Sequence, residues 1–157
     1  MSFLESINSN SYEVIVAAAA ANFIAQLYKF VSNFIRSGKI DIRWFVTTGG
    51  MPSSHSSTVV AMCTSIGLIE GFESMVFAVA LCVAVVVMYD AAGVRRSAGK
   101  QAKVLNQMVE ELFSKEHKFS GAKLKELLGH SPTEVVVGAL LGAAVSLYLR
   151  QLILTAA

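Results

Sequence analysis

Two histidines, and the residue types spaced around them, define what chemistry this chain could do. His130 stands in Gly129-His130-Ser131-Pro132-Thr133-Glu134, which leads into the apolar run VVVGALLG. A carboxylate four residues after an imidazole can orient the ring, and a fixed neutral imidazole is a competent nucleophile toward phosphorus. The same residues also spell a helix start, since Ser131, Pro132 and Glu134 fit a capping box with proline at the first helical position. His55 lies in Met51-Pro52-Ser53-Ser54-His55-Ser56-Ser57, a segment that puts hydroxyls and backbone N–H groups at a helix N-terminus, where the positive dipole end favours an anion. An imidazole there could donate a proton to a leaving oxygen. The plainer reading makes Ser53 or Ser54 an N-cap and His55 an interfacial residue, and at this level both readings stand.

The elements that must position these residues are apolar helices. Of 157 residues 54% are apolar and 15% charged, with a mean hydropathy of +0.57, too apolar for an ordinary soluble domain. Stretches at roughly 13–35, 55–71, 74–94 and 133–154 approach the ~20 residues needed to cross the hydrocarbon as helix. The second is the shortest. The expected fold is therefore an all-α integral membrane protein, a single domain over 1–157 built as a bundle of about four transmembrane helices. The third helix is expected to run on as a long cytoplasmic extension through DAAGVRRSAGKQAKVLNQMVEEL. Residues from about 112 to 129 read as an amphipathic segment on the headgroups. Cys63 and Cys82 sit in apolar runs and suggest neither a disulfide framework nor a zinc site, and nothing marks a cleavable signal peptide.

Charge distribution sets the orientation. Eight of the thirteen Lys/Arg residues fall between Arg95 and Lys125, and the loop after the first helix carries Arg36, Lys39 and Arg43. The positive-inside rule puts both loops in the cytoplasm. Asn22, Gln26, Lys29, Asn33 and Arg36 share one face of the first helix, which should point into the bundle. With this topology His55, His130, Lys29, Arg36, Asp90, Arg95 and Arg96 all fall toward the same membrane face. Histidines, guanidinium groups and helix N-termini converging there suit the binding and transfer of a phosphoryl group.

PSSH at 52–55 resembles the PSGH motif, and HSPTEVVVGALLG the H-x-x-x-D-x-x-x-G-x-x-x-G motif, of the type 2 phosphatidic acid phosphatase and vanadium haloperoxidase superfamily. TTGGMPSSHSS and YDAAGVRRSAGKQAKVLN resemble its small bacterial and plastid branch, the divergent PAP2 or YuiD-like proteins, along most of the chain. The resemblance implies a metal-independent phosphatase, without cofactor, that acts on lipid phosphate monoesters or pyrophosphates through a phosphohistidine. It implies membrane lipids and no nucleic acid as partners, allows a homo-oligomer, and places the chain in a bacterial plasma membrane or a plastid membrane.

Carried over, His130 is the nucleophile, Glu134 its orienting carboxylate and His55 the acid for the leaving group, while Ser53 and Ser54 hold phosphate. Lys29-FVSNFI-Arg36 partly matches the superfamily's K-x6-R-P motif, with Ser37 in place of the proline. Three departures stand out: Ser54 replaces a glycine, Glu134 replaces an aspartate, and Leu124 occupies the place of the arginine six residues before the nucleophile. Arg95 and Arg96, with Asp90 as a pairing partner, are the expected spatial replacement; Lys123 and Lys125 are nearer in sequence but would lose the bidentate grip. The competing reading is a catalytically inactive scaffold or binding protein for anionic phospholipid that keeps the anion cradle without turnover.

Overall fold

The computed structural model describes residues 3–38, 50–113 and 129–156, apart from the side chains of Glu5, Arg95, Arg96, Glu111 and Phe113. The described residues form helices α1 (Phe3–Ile7), α2 (Ser11–Ser37), α3 (Ser54–Glu70), α4 (Met75–Ala92), α5 (Val94–Phe113) and α6 (Pro132–Ala156). Four of them occupy the expected apolar stretches. By length and composition three stretches could cross a membrane: Ser11–Ser37, Met75–Glu110 and Pro132–Ala156. At 17 residues α3 is about 26 Å long, just under the hydrocarbon thickness. The extension of the third span exists as α5, set off from α4 at Gly93. Of the segment from about 112 to 129 expected to lie on the headgroups, residues 114–128 are outside the described residues, and Lys123, Leu124 and Lys125 with them.

Local chemistry sets the helix ends. The Asn10 side chain accepts from Tyr12 N–H to start α2, and Gly38, at φ 65°, ends it with its N–H on the Phe34 carbonyl. Ser53 and Ser74 cap α3 and α4 in the same manner. At the centre lies α3, packed on α2, α4 and α6, with its most extensive contact on α6. Asn22 and Gln26 of α2 bond Thr58 and Ser54, so α2 and α3 run antiparallel.

Small residues hold the bundle together. The inward stripe of α2 is Glu13, Ala17, Ala21, Ala25 and Lys29, its three alanines fully buried. On α6 the stripe includes Val135, Gly138, Gly142 and Ser146. A Cβ added at Gly138 would strike the Ser53 carbonyl oxygen, and one at Gly142 would strike the Ser57 carbonyl oxygen. Inside a bilayer apolar side chains gain little by leaving lipid, so close backbone approach of this kind carries helix association.

An ion pair ties the end opposite the histidines. Arg150 Nη1 donates to Glu13 Oε2 at 2.9 Å and to Asn8 Oδ1 and Ser9 Oγ, both at 3.2 Å. Ser9 N–H also donates to Glu13, which is 1% exposed. This joins the α1–α2 corner to α6. Glu13→Ala should lower stability by about 3–5 kcal/mol, because it leaves a partly buried guanidinium without its carboxylate. Gly138→Ala should cost about 1–3 kcal/mol through overpacking. Thermal unfolding in detergent reads both, and an unchanged melting temperature in either variant would refute the contact assigned to it.

Candidate active site

The first turn of α6 resolves the two readings of Glu134 into one arrangement. Ser131 Oγ accepts from Glu134 N–H at 3.3 Å and Glu134 Oε2 accepts from Ser131 N–H at 3.1 Å, the reciprocal pair of a capping box. That same Oε2 lies 3.1 Å from His130 Nδ1. A carboxylate oxygen can only accept here, so Nδ1 carries a proton, and in the neutral ring the lone pair is on Nε2. His130 is 2% exposed, and its backbone N–H donates to the Ala91 carbonyl at 2.9 Å. The end of α4 is thereby tied to the base of His130.

Opposite it stands the first turn of α3. Ser53 N–H donates to the Glu134 carbonyl at 3.0 Å, which locks the two helix starts together. Ser53 Oγ is taken up internally, accepting from Ser56 N–H at 3.3 Å and lying 3.0 Å from Ser56 Oγ. Ser54 Oγ accepts from Gln26 Nε2 at 3.3 Å and from Lys29 Nζ at 3.4 Å, which leaves its own proton to donate. The His55 and His130 rings lie 6.0 Å apart between centroids at 61°. Two imidazoles at that separation can address one tetrahedral group.

Lys29 sets the electrostatics. It is 5% exposed, and its hydrogen-bond partner is the neutral Ser54 hydroxyl. Among the described residues no carboxylate lies within ion-pair distance of it, and Glu134 acts on it from further away. A buried ammonium without a counter-ion is costly. Two helix N-termini converge beside it, each with roughly half a positive charge. The arrangement suits an oxyanion with several acceptor oxygens.

Other expected site residues stand further off. Arg36 is exposed in the last turn of α2, about 10 Å along the axis beyond Lys29, because α2 outruns the start of α3. The polar face of α2 thus meets α3 at Asn22, Gln26 and Lys29, while Arg36 clears the bundle. Asp90 is half-buried in the last turn of α4, next to the Ala91 that receives His130. The backbones of Arg95 and Arg96 lie in the first turn of α5, just past that point; their side chains are outside the described residues. Gln26 was not among the site residues expected from sequence, although its place three residues before Lys29 on one helical face was the signal for it.

The sequence profile of the Divergent PAP2 family matches residues 10–145, a span that contains both histidine segments and the glycine stripe. The chain is 45% identical over 145 residues to the "Uncharacterized membrane protein YuiD" of Bacillus subtilis (strain 168), covering 86% of this chain and 92% of that protein. No solved structure matches it.

Lys29→Met removes the buried charge while keeping most of the side-chain volume. The variant should be at least as stable as the parent and should bind orthovanadate at least tenfold more weakly, since a charged hydrogen bond is worth about 1.5–3 kcal/mol. Thermal unfolding with and without vanadate measures both effects. A marked loss of stability with vanadate affinity intact would make Lys29 structural instead.

Proposed function

The chain belongs to the divergent PAP2 family, and from that premise we propose that it is a metal-independent phosphatase of lipid phosphate monoesters or pyrophosphates, working at the cytoplasmic face of the membrane. The observation that carries the proposal is the meeting of His130, oriented by Glu134, with His55 beside the buried Lys29. The face is assigned from the basic loops that flank this end of the bundle.

In this reading His130 Nε2 attacks phosphorus, the N–P bond forms and the P–O bond to the lipid breaks. The electron pair stays on the departing oxygen, which takes its proton from His55. Glu134 steadies the positive charge that His130 acquires. His55 then removes a proton from water, the water oxygen attacks phosphorus, and the N–P bond breaks to release inorganic phosphate and restore His130. Lys29, the Ser54 hydroxyl and first-turn N–H groups of α3 hold the remaining phosphoryl oxygens, whose charge they neutralise in the transition state. Ser53 contributes by setting the helix start. Arg95 and Arg96 supply the missing guanidinium grip in this proposal, supported by the Ala91–His130 bond that brings the α4–α5 junction to the nucleophile. Asp90 holds one of these arginines in place, and Arg36 draws in anionic headgroups.

The purified protein, assayed for phosphate release against a panel of lipid phosphates with vanadate as inhibitor, tests the activity. His130→Ala should abolish turnover and any acid-labile phosphoenzyme. His55→Ala should still form the phosphoenzyme on substrates with good leaving groups while turnover falls about 10²–10⁴-fold on lipid alcohols. Full activity in His130→Ala would remove it as nucleophile. Binding of anionic lipid with no phosphate release from any member of the panel would replace the enzyme by a lipid-binding scaffold.

A further inference from the structure

Two carboxamides open on the outer surface of the bundle from the middle of a membrane span. Helix α2 runs from Ser11 to Ser37, and Asn22 lies about 3 Å from its midpoint along the axis. With Gln26 it lines a groove of ≈ 430 Å³ on the flank between α2 and α3, whose other walls are Ala18, Ala19, Phe23 and Thr58. From Gln26 to Ala18 the groove extends about 12 Å along α2. Ala19 and Phe23 are exposed beside it.

Hydrogen bonds within the chain fix how Asn22 is turned. Thr58 donates its hydroxyl proton to the Ser54 carbonyl at 2.7 Å, so toward Asn22 its oxygen only accepts. Asn22 Nδ2 supplies that bond at 3.0 Å, the one hydrogen bond of this side chain among the described residues. A second N–H and Oδ1 are left over. Gln26 repeats the pattern one turn on: Nε2 donates to Ser54 Oγ, and Oε1 makes no hydrogen bond among the described residues. Open amide groups are costly at hydrocarbon depth, and a lipid chain answers neither half of them. Ester oxygens only accept, so they would leave both amide carbonyls bare.

An occupant that suits Asn22 donates one bond and accepts one at the same point, which is what a second asparagine does. The basic loops orient every copy of the chain alike, so the twofold axis of a pair runs along the membrane normal and like residues meet at like height. We infer that this groove is a homodimer interface, in which the free Asn22 N–H of each protomer meets Oδ1 of the partner's Asn22. One turn nearer the histidines Gln26 faces its counterpart, where its oxygen finds the donor it lacks inside the chain. One turn the other way Ala18 and Ala19 let the two backbones approach, and Phe23 packs along the seam. Through Gln26 and Ser54 the interface borders the Lys29 site.

The full chain, labelled in separate batches with donor and acceptor fluorophores at the C-terminus, is reconstituted in phospholipid vesicles, and energy transfer is followed as lipid is added. Wild type should follow a monomer–dimer curve. Asn22→Leu should shift its midpoint to a protein-to-lipid ratio about tenfold higher, as for two lost interhelical hydrogen bonds. Ala19→Leu keeps every hydrogen bond within the chain but holds the two helices apart, and should shift the curve in the same direction. In a Cys63→Ala, Cys82→Ala chain, Ala19→Cys should join two copies on oxidation, whereas Leu140→Cys, at an exposed position on α6, should not. A chain that is monomeric at every dilution, and so offers its groove to lipid, would overturn the interface. So would a dimer whose curve is the same in wild type and both leucine variants, or cross-linking at position 140 and not at 19. If Asn22→Leu fails to fold, Ala19→Leu and the cross-link decide. No arm reads phosphate release, so the result stands apart from the phosphatase reading.

Discussion

The start of α3 lies directly on the backbone of α6, with no side chain between them at positions 138 and 142, and the rest of the structure hangs on that approach. The glycines let Ser53 come close enough for its N–H to reach the Glu134 carbonyl, which sets two helix starts side by side at one end of the bundle. Once these ends are fixed, His55 and His130 have little choice but to face each other, and Ser54 is delivered to Gln26 and Lys29 on α2. The spacing His130, Glu134, Gly138, Gly142 is one helical face read along its length, with chemistry at the top and close packing below. A bulkier residue in the lower half would disturb the upper half without touching it.

The two ends of the bundle treat charge differently. Far from the histidines, Arg150 meets Glu13 and gathers two further oxygens from the α1–α2 corner, so its charge is answered within the chain. Near the histidines, Lys29 is buried with the Ser54 hydroxyl as its hydrogen-bond partner among the described residues. A charge kept in an apolar bundle without a partner lowers stability and is retained where function demands it. The contrast is between an ion pair answered within the chain and a buried ammonium whose partner among the described residues is a neutral hydroxyl.

Glu134 shows how a helix cap and the orienting partner of a buried histidine can be one group. Its carboxylate closes the capping box with Ser131 and holds His130 Nδ1 through the same oxygen. A glutamate at the third helical position is what a capping box requires, and its extra methylene relative to aspartate lets it bridge back to both groups. The departure from the superfamily's aspartate is therefore consistent with an oriented imidazole.

The pattern of apolar runs and helix-start residues determined, with no structure in hand, an all-helical membrane bundle, the places of its long helices, and the convergence of both histidines at one end. Those features follow from local rules of hydropathy, capping and charge that act over a few residues. The extent of the polar face of α2 was not legible in this way, because Arg36 and Lys29 share a face and differ only in how far α3 reaches along it. Nor could spacing show that Lys29 meets the Ser54 hydroxyl, that Gln26 joins Ser54, or that the Ala91 carbonyl receives His130, since each depends on contacts between helices many residues apart. Tertiary structure alone decided these, because a buried group's partners are chosen by which helices lie against it and at what height, and no local rule carries that information.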